Sequence, residues 1–583
     1  MTKQRLLFVG LFLLTTLLVK AENIRYCSVK QSDYSRVSLT FNAGNLSVHD
    51  LKTPEGMFSL LAIDGFYPSS DVGNPNLPVL SQTIEIPLCK GVSYRVVNSK
   101  TEVYTAAQLG INYTVYPAQP SYSKSEEGPF PLVKNSETYS LNEFYGADVI
   151  RIEEVGVARN INLANVYFSP IKYNPVTNEI SIVKELEVEI VFEDADVAAT
   201  RKMKKLHSSP AFSVKADIAN VLEKDTYTTG PLKYLIVSHS SFKGQFDEFV
   251  AWKRRKGFLV DIVYTDDVNV GTTASSIQAY IKSQYTNATP ENPAPTYVLL
   301  VGDVQQIPPF DSRISSSSLN DHITDLYYFT WTDGDIIPDC YYGRFSAQTV
   351  AHLTPQIEKT LMYEKYLMDD PSYLDKALII AGVDGGQRGD HGYTHADPVI
   401  HYLEDNYVNA TYGYTTVTSY YNPNSGTSAA ETGVYNALSG GVGFANYTAH
   451  CNYSNWSTPE FNTSDVARMQ NTQKFGLMIG NCCLSNKFDV SACLGEALLR
   501  KDNYCGAVGY IGGSNSTYWD QDYWWAVGVR TINTSTCPTP TYDAAKLGVY
   551  DRLFHTQCTL ISPRRSVSIK VLISSRPQPQ ERR

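Results

Sequence analysis

The chain has 583 residues, of which 43% are hydrophobic and 19% charged, and its formal net charge is −10. This composition suits several domains with large apolar cores and excludes a disordered or fibrous protein. The negative charge and the lack of a basic patch interleaved with aromatic residues argue against a nucleic-acid partner.

The N-terminus has the pattern of a secretory signal peptide. Lys3 and Arg5 precede an uncharged run from Leu6 to Leu18, and a small residue, Ala21, offers a cleavage site. The apolar run is too short for a convincing membrane span, and no later segment has the length and apolarity to cross a bilayer. We therefore predict a signal peptide at residues 1–21 and a mature protein outside the cell or at its surface, with no membrane span.

Residues 22–194 contain short alternating segments separated by turn residues, and period-two alternation is typical of antiparallel sheets. The clearest examples are Val37–Phe41, Gln82–Pro87, Asn160–Phe168 and Leu186–Phe192. We expect a β-sandwich here. A basic, helix-prone junction follows, from Arg201–Lys205 to Val221–Asp225, and exposed junctions of this kind are where proteolytic nicking concentrates.

Beyond the junction, buried strands alternate with helices. The predicted strands are 234–237, 258–264, 297–303 and 377–384, and the predicted helices are 246–255, 274–284 and 353–368. Alternation at this spacing predicts parallel, doubly wound sheets. The loop around Pro338 and the helix at 353–368 divide the region into two similar halves.

Two later apolar runs end in reactive side chains. The run from Gly441 ends at His450, and the run from Phe475 ends at Cys482 and Cys483. Ligands collect beyond the carboxyl ends of parallel strands, so an imidazole and a thiol could meet there, as nucleophilic catalysis by cysteine requires. A structural histidine and a disulfide between cysteines are the alternative at this point.

Several motifs resemble the gingipains, secreted bacterial cysteine endopeptidases with a caspase-like fold. The motifs are Ala445–His450, Ile479–Cys483, Tyr518–Tyr523, Trp252–Phe258, Val301–Asp303, Thr324–Tyr328 and Leu361–Lys365. The lysine-specific branch of the family matches best. The resemblance implies two α/β subdomains of the caspase–haemoglobinase type, A at 225–370 and B at 371–555, after an all-β inhibitory prodomain at 22–224. Residues 556–583 are expected to be a basic tail, disordered or truncated.

The resemblance assigns catalytic roles. Cys483 matches the nucleophile and Cys482 a neighbouring non-catalytic position, while His450 matches the general base and Asp384 the acidic residue that orients it. The backbone N–H groups of Cys483 and Cys451 match the oxyanion donors. The family has glycine where this chain has Cys451, so we expect a side chain where the substrate approaches closely.

Specificity is assigned to Asp522, which matches the carboxylate that receives a substrate ammonium in the lysine-specific relatives. Tyr518 and Trp519 would form an aromatic wall, and the other matching pocket positions are Thr448 and Asn481. The expected processing site is consistent with lysine specificity, because the family-like mature start, Asp225, directly follows Lys224. Arginine specificity is the alternative, with Asp390 or Asp397 supplying the acidic group.

The segment 333–339 places three carboxylates on a turn that contains glycine. Asp333, Asp335 and Asp339, with the carbonyl of Ile337, offer hard oxygen ligands that suit calcium, and the resemblance implies a structural calcium ion at the matching loop. A solvated acidic turn is the alternative. Catalysis by cysteine is expected to need no cofactor.

Three hypotheses follow from the sequence. The first is a secreted cysteine endopeptidase that cleaves protein or peptide substrates after lysine and is made as a zymogen inhibited by its own prodomain. The second is the same enzyme with arginine or broader specificity. The third is a catalytically weak adhesin or binding protein on the same fold.

Overall fold

The computed structural model describes residues 26–124, 126, 130–212, 218–223, 231–311, 323–383, 395–502, 504–532, 539–544 and 546–554. Five predictions fall outside these ranges: the signal peptide at 1–21, the processing residues Lys224 and Asp225, the catalytic residue Asp384, the alternative acidic residue Asp390, and the tail at 556–583. In the part of the chain that is described, no helix has the length and apolarity to span a membrane.

The N-terminal β region comprises the described residues from 26 to 223. Its strands and its helix are β1 (Cys27–Ser32), β2 (Arg36–Asn42), β3 (Ser47–Thr53), β4 (Gly56–Ala62), β5 (Leu80–Ile86), β6 (Gly91–Thr105), β7 (Ile150–Ala158), β8 (Ile161–Phe168), β9 (Ile171–Asn174), β10 (Glu179–Glu193) and α1 (Val197–His207).

Antiparallel ladders join these strands into two sheets and a hairpin. β1, β2, β10 and β6 pair in that order, with β9 also on β10, while β5, β8 and β7 form the second sheet and β3 pairs with β4. Val37, Leu39 and Phe41 on one face of β2 are fully buried and share one core with Ile84 of β5 and Val166 of β8. Period-two alternation thus gives each sheet one apolar face, and the predicted all-β region is confirmed.

The first sheet of the α/β body is parallel. Its region contains β11 (Lys233–Ser238), α2 (Asp247–Arg255), β12 (Leu259–Tyr264), α3 (Ala274–Thr286), β13 (Pro295–Val301), β14 (Phe310–Asp311), β15 (Ile323–Thr324), β16 (Tyr341–Phe345) and α4 (Val350–Lys365). The strand order is β12-β11-β13-β16, and β14 pairs with β15 outside it. Separate apolar clusters cover its two faces, which explains why its strands read as continuous apolar runs.

The second sheet is also parallel and has the order β18-β17-β19-β23-β24. Its region contains β17 (Lys376–Ala381), α5 (Ala396–Asn406), β18 (Thr416–Tyr420), α6 (Ser428–Gly440), β19 (Phe444–Thr448), β20 (Cys451–Asn452), β21 (Asn455–Ser457), β22 (Glu460–Asn462), α7 (Thr463–Arg468), β23 (Leu477–Asn481), α8 (Leu494–Arg500), β24 (Gly509–Gly512), α9 (Trp519–Val527) and α10 (Val549–Phe554). The predicted class, two α/β sheets after an all-β region, is confirmed. The exact domain boundaries stay predictions.

Candidate active site

Two neighbouring strands of the second sheet bring His450 and Cys483 to the same edge. β19 and β23 are parallel, and Thr448, the last residue of β19, lies opposite Asn481, the last residue of β23. His450 and Cys483 each come two residues after this pair. The polar ends of the two apolar runs therefore meet at the carboxyl edge of the sheet, where α/β proteins place their ligands.

The Cys483 thiol is buried against the segment before α9. The backbone N–H of Thr517 donates a hydrogen bond to its Sγ at 3.3 Å, and the Thr517 hydroxyl lies 3.7 Å from the same sulfur. Leu484, the next residue, has a left-handed φ of 55°, and its N–H donates to the carbonyl of Asn515 at 3.0 Å. A non-glycine residue in this conformation costs energy and is common at functional turns.

The His450 ring is partly buried and stands perpendicular to the Trp519 ring, with a centroid distance of 5.0 Å. Burial first, and then the positive charge of Lys124, lowers the pKa of His450 to about 4, while a hydrogen bond to the Lys124 backbone acts in the opposite direction. Its Nε2 atom has no hydrogen-bond partner among the described residues. The imidazole is therefore neutral near pH 7 and holds a free lone pair or proton for transfer.

A disulfide joins Cys451 to Cys482, with their Cα atoms 5.7 Å apart. It links the residue after His450 to the residue before Cys483. The sequence leaves a disulfide as the alternative for these cysteines without naming Cys451 as a partner, assigns Cys482 a non-catalytic position, and predicts the Cys451 side chain where the substrate approaches closely. That placement is wrong, because the Cys451 side chain belongs to a buried core cluster with Trp456 and Tyr447.

The predicted specificity residues surround an ammonium group that comes from the N-terminal β region. Lys124 has no exposed side-chain surface, and its Nζ lies 2.7 Å from Oδ2 of Asp522. The same nitrogen donates to the carbonyls of Ala449 at 3.4 Å and Asn481 at 3.3 Å. It also lies 4.5 Å from the centre of the Trp519 ring, within cation–π range.

The remaining pocket residues are held by neighbours. The Thr517 hydroxyl donates to Oδ2 of Asp522 at 2.6 Å, so one residue contacts both the carboxylate and the Cys483 sulfur. The side-chain amide of Asn481 donates to the Asp522 carbonyl at 3.2 Å. Thr448 is buried and accepts a hydrogen bond from Asn446 at 3.2 Å.

Tyr518 pairs with the N-terminal β region through its backbone. Ser123 forms an antiparallel bridge with Tyr518, and the N–H of Lys124 donates to the carbonyl of Thr517 at 2.8 Å. The Lys124 segment therefore lies extended along the pocket, as an added strand does. Lys124 and Thr517 lie outside the motifs identified in the sequence, and Ala449 lies inside one but was assigned no role, so none of the three was predicted.

The alternative acidic residue Asp397 accepts the N–H of Asn422 at 3.0 Å, and none of its described contacts is with Lys124. A second histidine lies close to the pocket, however. His395 Nε2 is 2.9 Å from Oδ1 of Asp520, and its ring stacks against Trp519 at 5.6 Å. Trp519 thus contacts both His395 and His450, a relation that the sequence did not indicate.

The expected calcium ligands do not converge. Asp333 is 96% exposed and pairs with Lys282 at 2.6 Å. Asp335 accepts the N–H groups of Val157 and Ile337, and Asp339 those of Arg159 and Trp331. Burial raises the pKa of Asp335 to about 6 and that of Asp339 to about 7. Across the described ranges, no cluster of three His, Cys, Asp or Glu side chains could hold a metal ion.

Comparisons with known proteins match most of the chain to one peptidase family and its propeptide. Residues 227–565 match the profile of Peptidase family C25, and residues 22–215 match the C25 propeptide profile. Lys-gingipain of Porphyromonas gingivalis is 34% identical over 531 residues, which cover 90% of this chain and 30% of that protein. Gingipain R2 of the same species is 26% identical over 493 residues, covering 82% of this chain and 62% of that protein. The chain thus spans less than two thirds of each of these relatives.

The chain also matches two solved structures, both with TM-scores below 0.5. The one described as "Structure of Protease" has a TM-score of 0.49 and 38% sequence identity, and the match covers 56% of this chain and 68% of that chain. The complex of Porphyromonas gingivalis RgpB pro- and mature domains has a TM-score of 0.42 and 26% identity, covering 50% of this chain and 66% of that one.

Proposed function

Because the chain belongs to peptidase family C25, we propose that it is a secreted cysteine endopeptidase that cleaves after lysine and is made as a zymogen. The observation that carries the proposal is Lys124, whose ammonium is bound to Asp522 at the edge of the sheet that also bears Cys483 and His450. The apolar segment within residues 1–21 supports export as a signal peptide.

In the proposed reaction, the Cys483 thiolate attacks the carbonyl carbon of the substrate lysine. His450 takes the thiol proton and then gives it to the leaving amine as the C–N bond breaks, and water hydrolyses the resulting thioester. The Thr517 N–H, 3.3 Å from Sγ, supports a fixed position of the sulfur beside the pocket. Asp384 is assigned to orient the imidazole.

The backbone N–H groups of Cys483 and Cys451 are the proposed donors to the developing oxyanion. Glycine is not required at position 451 for this role, because the donor is the main chain. The disulfide between Cys451 and Cys482 supports a fixed spacing of the two donors, since it joins one of them to the immediate neighbour of the other.

Lysine specificity is supported by the number and arrangement of acceptors around Lys124. An ammonium has three N–H donors, and three oxygens receive them: Oδ2 of Asp522 and the carbonyls of Ala449 and Asn481. A guanidinium prefers a bidentate carboxylate in one plane. Oδ2 of Asp522 also accepts the Thr517 hydroxyl, so the pocket suits a point charge better than a planar fork.

We propose that the N-terminal β region is an inhibitory prodomain that blocks the pocket with Lys124. Its buried ammonium and its extended backbone along Thr517 and Tyr518 fill the space that a substrate lysine would need. Cleavage between Lys224 and Asp225 is the proposed processing step, and the specificity assigned to Asp522 permits the enzyme to cut itself there.

Calcium does not fit the proenzyme, because the three carboxylates of the loop do not converge and those of Asp335 and Asp339 face backbone N–H groups. We restrict that part of the proposal to the peptidase without its prodomain, where Val157 and Arg159 no longer donate to these carboxylates. Oxygen donors at this spacing would then suit a structural calcium ion. The proposed catalysis does not use it.

A substrate panel tests the proposed function. Activated enzyme should cleave peptides with lysine before the scissile bond, and should leave matched peptides with arginine or asparagine largely intact. Cys483→Ala should abolish cleavage, whereas Cys89→Ser, at a thiol in the prodomain, should not. Equal cleavage after arginine would contradict the specificity, and cleavage by Cys483→Ala would contradict the thiol mechanism.

A further inference from the structure

The prodomain makes a second buried contact with the peptidase, far along the chain from Lys124. β7 and β8 are joined by a two-residue turn, Arg159 and Asn160, between the paired residues Ala158 and Ile161. We call residues 156–160 the hook. Arg159 has a left-handed φ of 58°, which costs energy for a side chain of this kind and is tolerated where the surroundings fix it.

The Arg159 side chain is the centre of the contact. It is 1% exposed, and its guanidinium makes four hydrogen bonds to carbonyl oxygens. One goes to His207 in the prodomain at 2.7 Å. The other three cross to the peptidase and reach Ala294 at 3.0 Å, Pro295 at 2.7 Å and Asp339 at 3.1 Å. A buried charge persists in a protein only with this degree of hydrogen bonding.

Two carboxylates receive the hook backbone. The N–H of Val157 donates to Oδ2 of Asp335 at 2.9 Å, and the N–H of Arg159 donates to Oδ1 of Asp339 at 2.6 Å. Asp339 is 1% exposed, its carboxylate accepts the Arg159 backbone N–H, and its main-chain carbonyl accepts from the Arg159 guanidinium. Hydrogen bonds to ionised acceptors are stronger than those between neutral groups.

The hook also packs closely against the peptidase outside these hydrogen bonds. A Cβ atom added at Gly156 would lie 2.3 Å from the Asp335 Cβ, so only glycine allows this approach. Ile337 packs with Ala158 and Ile161. The peptidase surface around Asp335, Ile337 and Asp339 therefore complements the hook in shape and offers acceptors to its N–H groups.

The position in the sheet separates this contact from the catalytic edge. Pro295 is the first residue of β13, and Asp339 comes two residues before β16. β13 and β16 are parallel neighbours, so the hook lies at the amino ends of the first sheet. Lys124 lies at the carboxyl ends of the second sheet. Substrate binds at carboxyl ends in α/β proteins, so nothing in catalysis calls for a buried receptor at the hook.

We propose that Asp335 and Asp339 form a receptor for the prodomain hook, and that this contact, separate from the Lys124 pocket, retains the prodomain on the peptidase after the connecting chain is cut. The inference rests on the proposed function in one respect, that residues 22–224 are a prodomain. In the proenzyme the two carboxylates act as acceptors for prodomain amides and not as ligands of a cation.

Retention can be measured without the activity of the chain itself. Cys483→Ala proenzyme is clipped in the connecting segment with a small amount of lysyl endopeptidase, and size-exclusion chromatography reports whether the prodomain fragment co-elutes. The parent should retain it. Adding Arg159→Ala should raise its dissociation rate at least about 30-fold, because truncating one side of a buried charged contact acts mainly on dissociation. Arg151→Ala, which removes an exposed arginine from β7, should not change it.

Gly156→Ala supplies a second, independent variant and should also release the fragment. Its matched control is Gly56→Ala, because Gly56 has a similar φ, 133° against 127°, and open space around its Cβ position. Thermal unfolding confirms that each variant is folded before it is clipped. Retention as tight as in the parent in both Arg159→Ala and Gly156→Ala would overturn the proposal. A chain inactive toward lysine substrates would leave this assay unaffected.

Calcium binding tests the assignment of the two carboxylates. Equilibrium dialysis with radioactive Ca²⁺ is performed on the intact Cys483→Ala proenzyme and on the same protein with Asp335→Asn. The number of bound ions per chain should be the same, because in the docked proenzyme Oδ2 of Asp335 accepts the N–H of Val157 in the hook and Oδ1 accepts the N–H of Ile337. Loss of one bound ion in Asp335→Asn would overturn the assignment.

Discussion

The two contacts of the prodomain with the peptidase differ in chemistry and in place. At the pocket, one flexible lysine enters a site built for any substrate lysine, and its backbone pairs along Thr517 and Tyr518. At the hook, a strained arginine turn meets carboxylates and carbonyls that no substrate has to reach. The pocket contact blocks catalysis and is substrate-like, whereas the hook contact can hold the prodomain without imitating a substrate. Inhibition and retention are therefore separable by mutation.

Asp522→Asn should have the largest effect, and only at the pocket. Removing one charge from a largely buried ion pair costs about 3–5 kcal/mol, so kcat/KM for lysine substrates should fall roughly 150- to 5,000-fold. Retention of the clipped prodomain through the hook should persist. Steady-state kinetics and the chromatographic assay measure the two effects. Asp489→Asn, at a surface pair with Lys487, is the control. Unchanged lysine turnover in Asp522→Asn would contradict the pocket assignment.

The disulfide stabilises the pocket side and has no counterpart at the hook. Replacing both Cys451 and Cys482 by serine releases a crosslink across a sequence separation of 31 residues. The chain-entropy model gives a loss of about 3–4 kcal/mol in the free energy of unfolding. Denaturant unfolding of the double variant measures this loss, and Cys89→Ser should show none. A double variant as stable as the parent would show that the crosslink contributes nothing.

Lys124→Ala should relieve inhibition while leaving the prodomain attached through the hook. Truncating a central buried side chain typically costs about 2 kcal/mol or more, so fresh proenzyme should gain roughly 30-fold in residual activity on lysine peptides. Lys134→Ala removes an exposed lysine whose ammonium lies over the rings of Tyr139 and Phe58 in the prodomain, and it should have no effect. Full inhibition in Lys124→Ala would mean that the block lies elsewhere.

The smallest expected effect is on His450. Its pKa is lowered to about 4 in the proenzyme, chiefly by burial and next by the charge of Lys124. A histidine with a lowered folded pKa stabilises the fold above its ordinary value of about 6.5, and that contribution is lost as the pH falls toward 4. Lys124→Ala should therefore raise the titration midpoint of His450, measured by histidine NMR in Cys483→Ala proenzyme. A midpoint unchanged or lowered would contradict the contact.

Local patterns predicted the elements and the edge where chemistry collects. The apolar runs that end in His450 and Cys483 are enough to predict this edge, because neighbouring parallel strands bring their carboxyl ends together. The partners of those residues were not predictable in the same way. The Cys451–Cys482 bond depends on which strands are adjacent, and ten cysteines allow many pairings.

Long-range contacts explain the other differences between the sequence-based predictions and the structure. Lys124 reaches acceptors more than 300 residues away, and nothing in its own neighbourhood marks it. The loop at 333–339 has the composition of a calcium site, but Val157 and Arg159, about 180 residues earlier, supply donors to two of its carboxylates. A composition rule cannot anticipate a partner from another domain.

Covalent labelling of Cys483 tests the central claim most directly. Activated enzyme is treated with an irreversible, thiol-directed peptide ketone carrying lysine, or with its arginine analogue, and the modified residue is identified by mass spectrometry. The lysine reagent should label Cys483 rapidly, the arginine reagent slowly, and Asp522→Asn should remove the difference. Modification of another cysteine, or equal rates for the two reagents with Asp522 intact, would contradict the account.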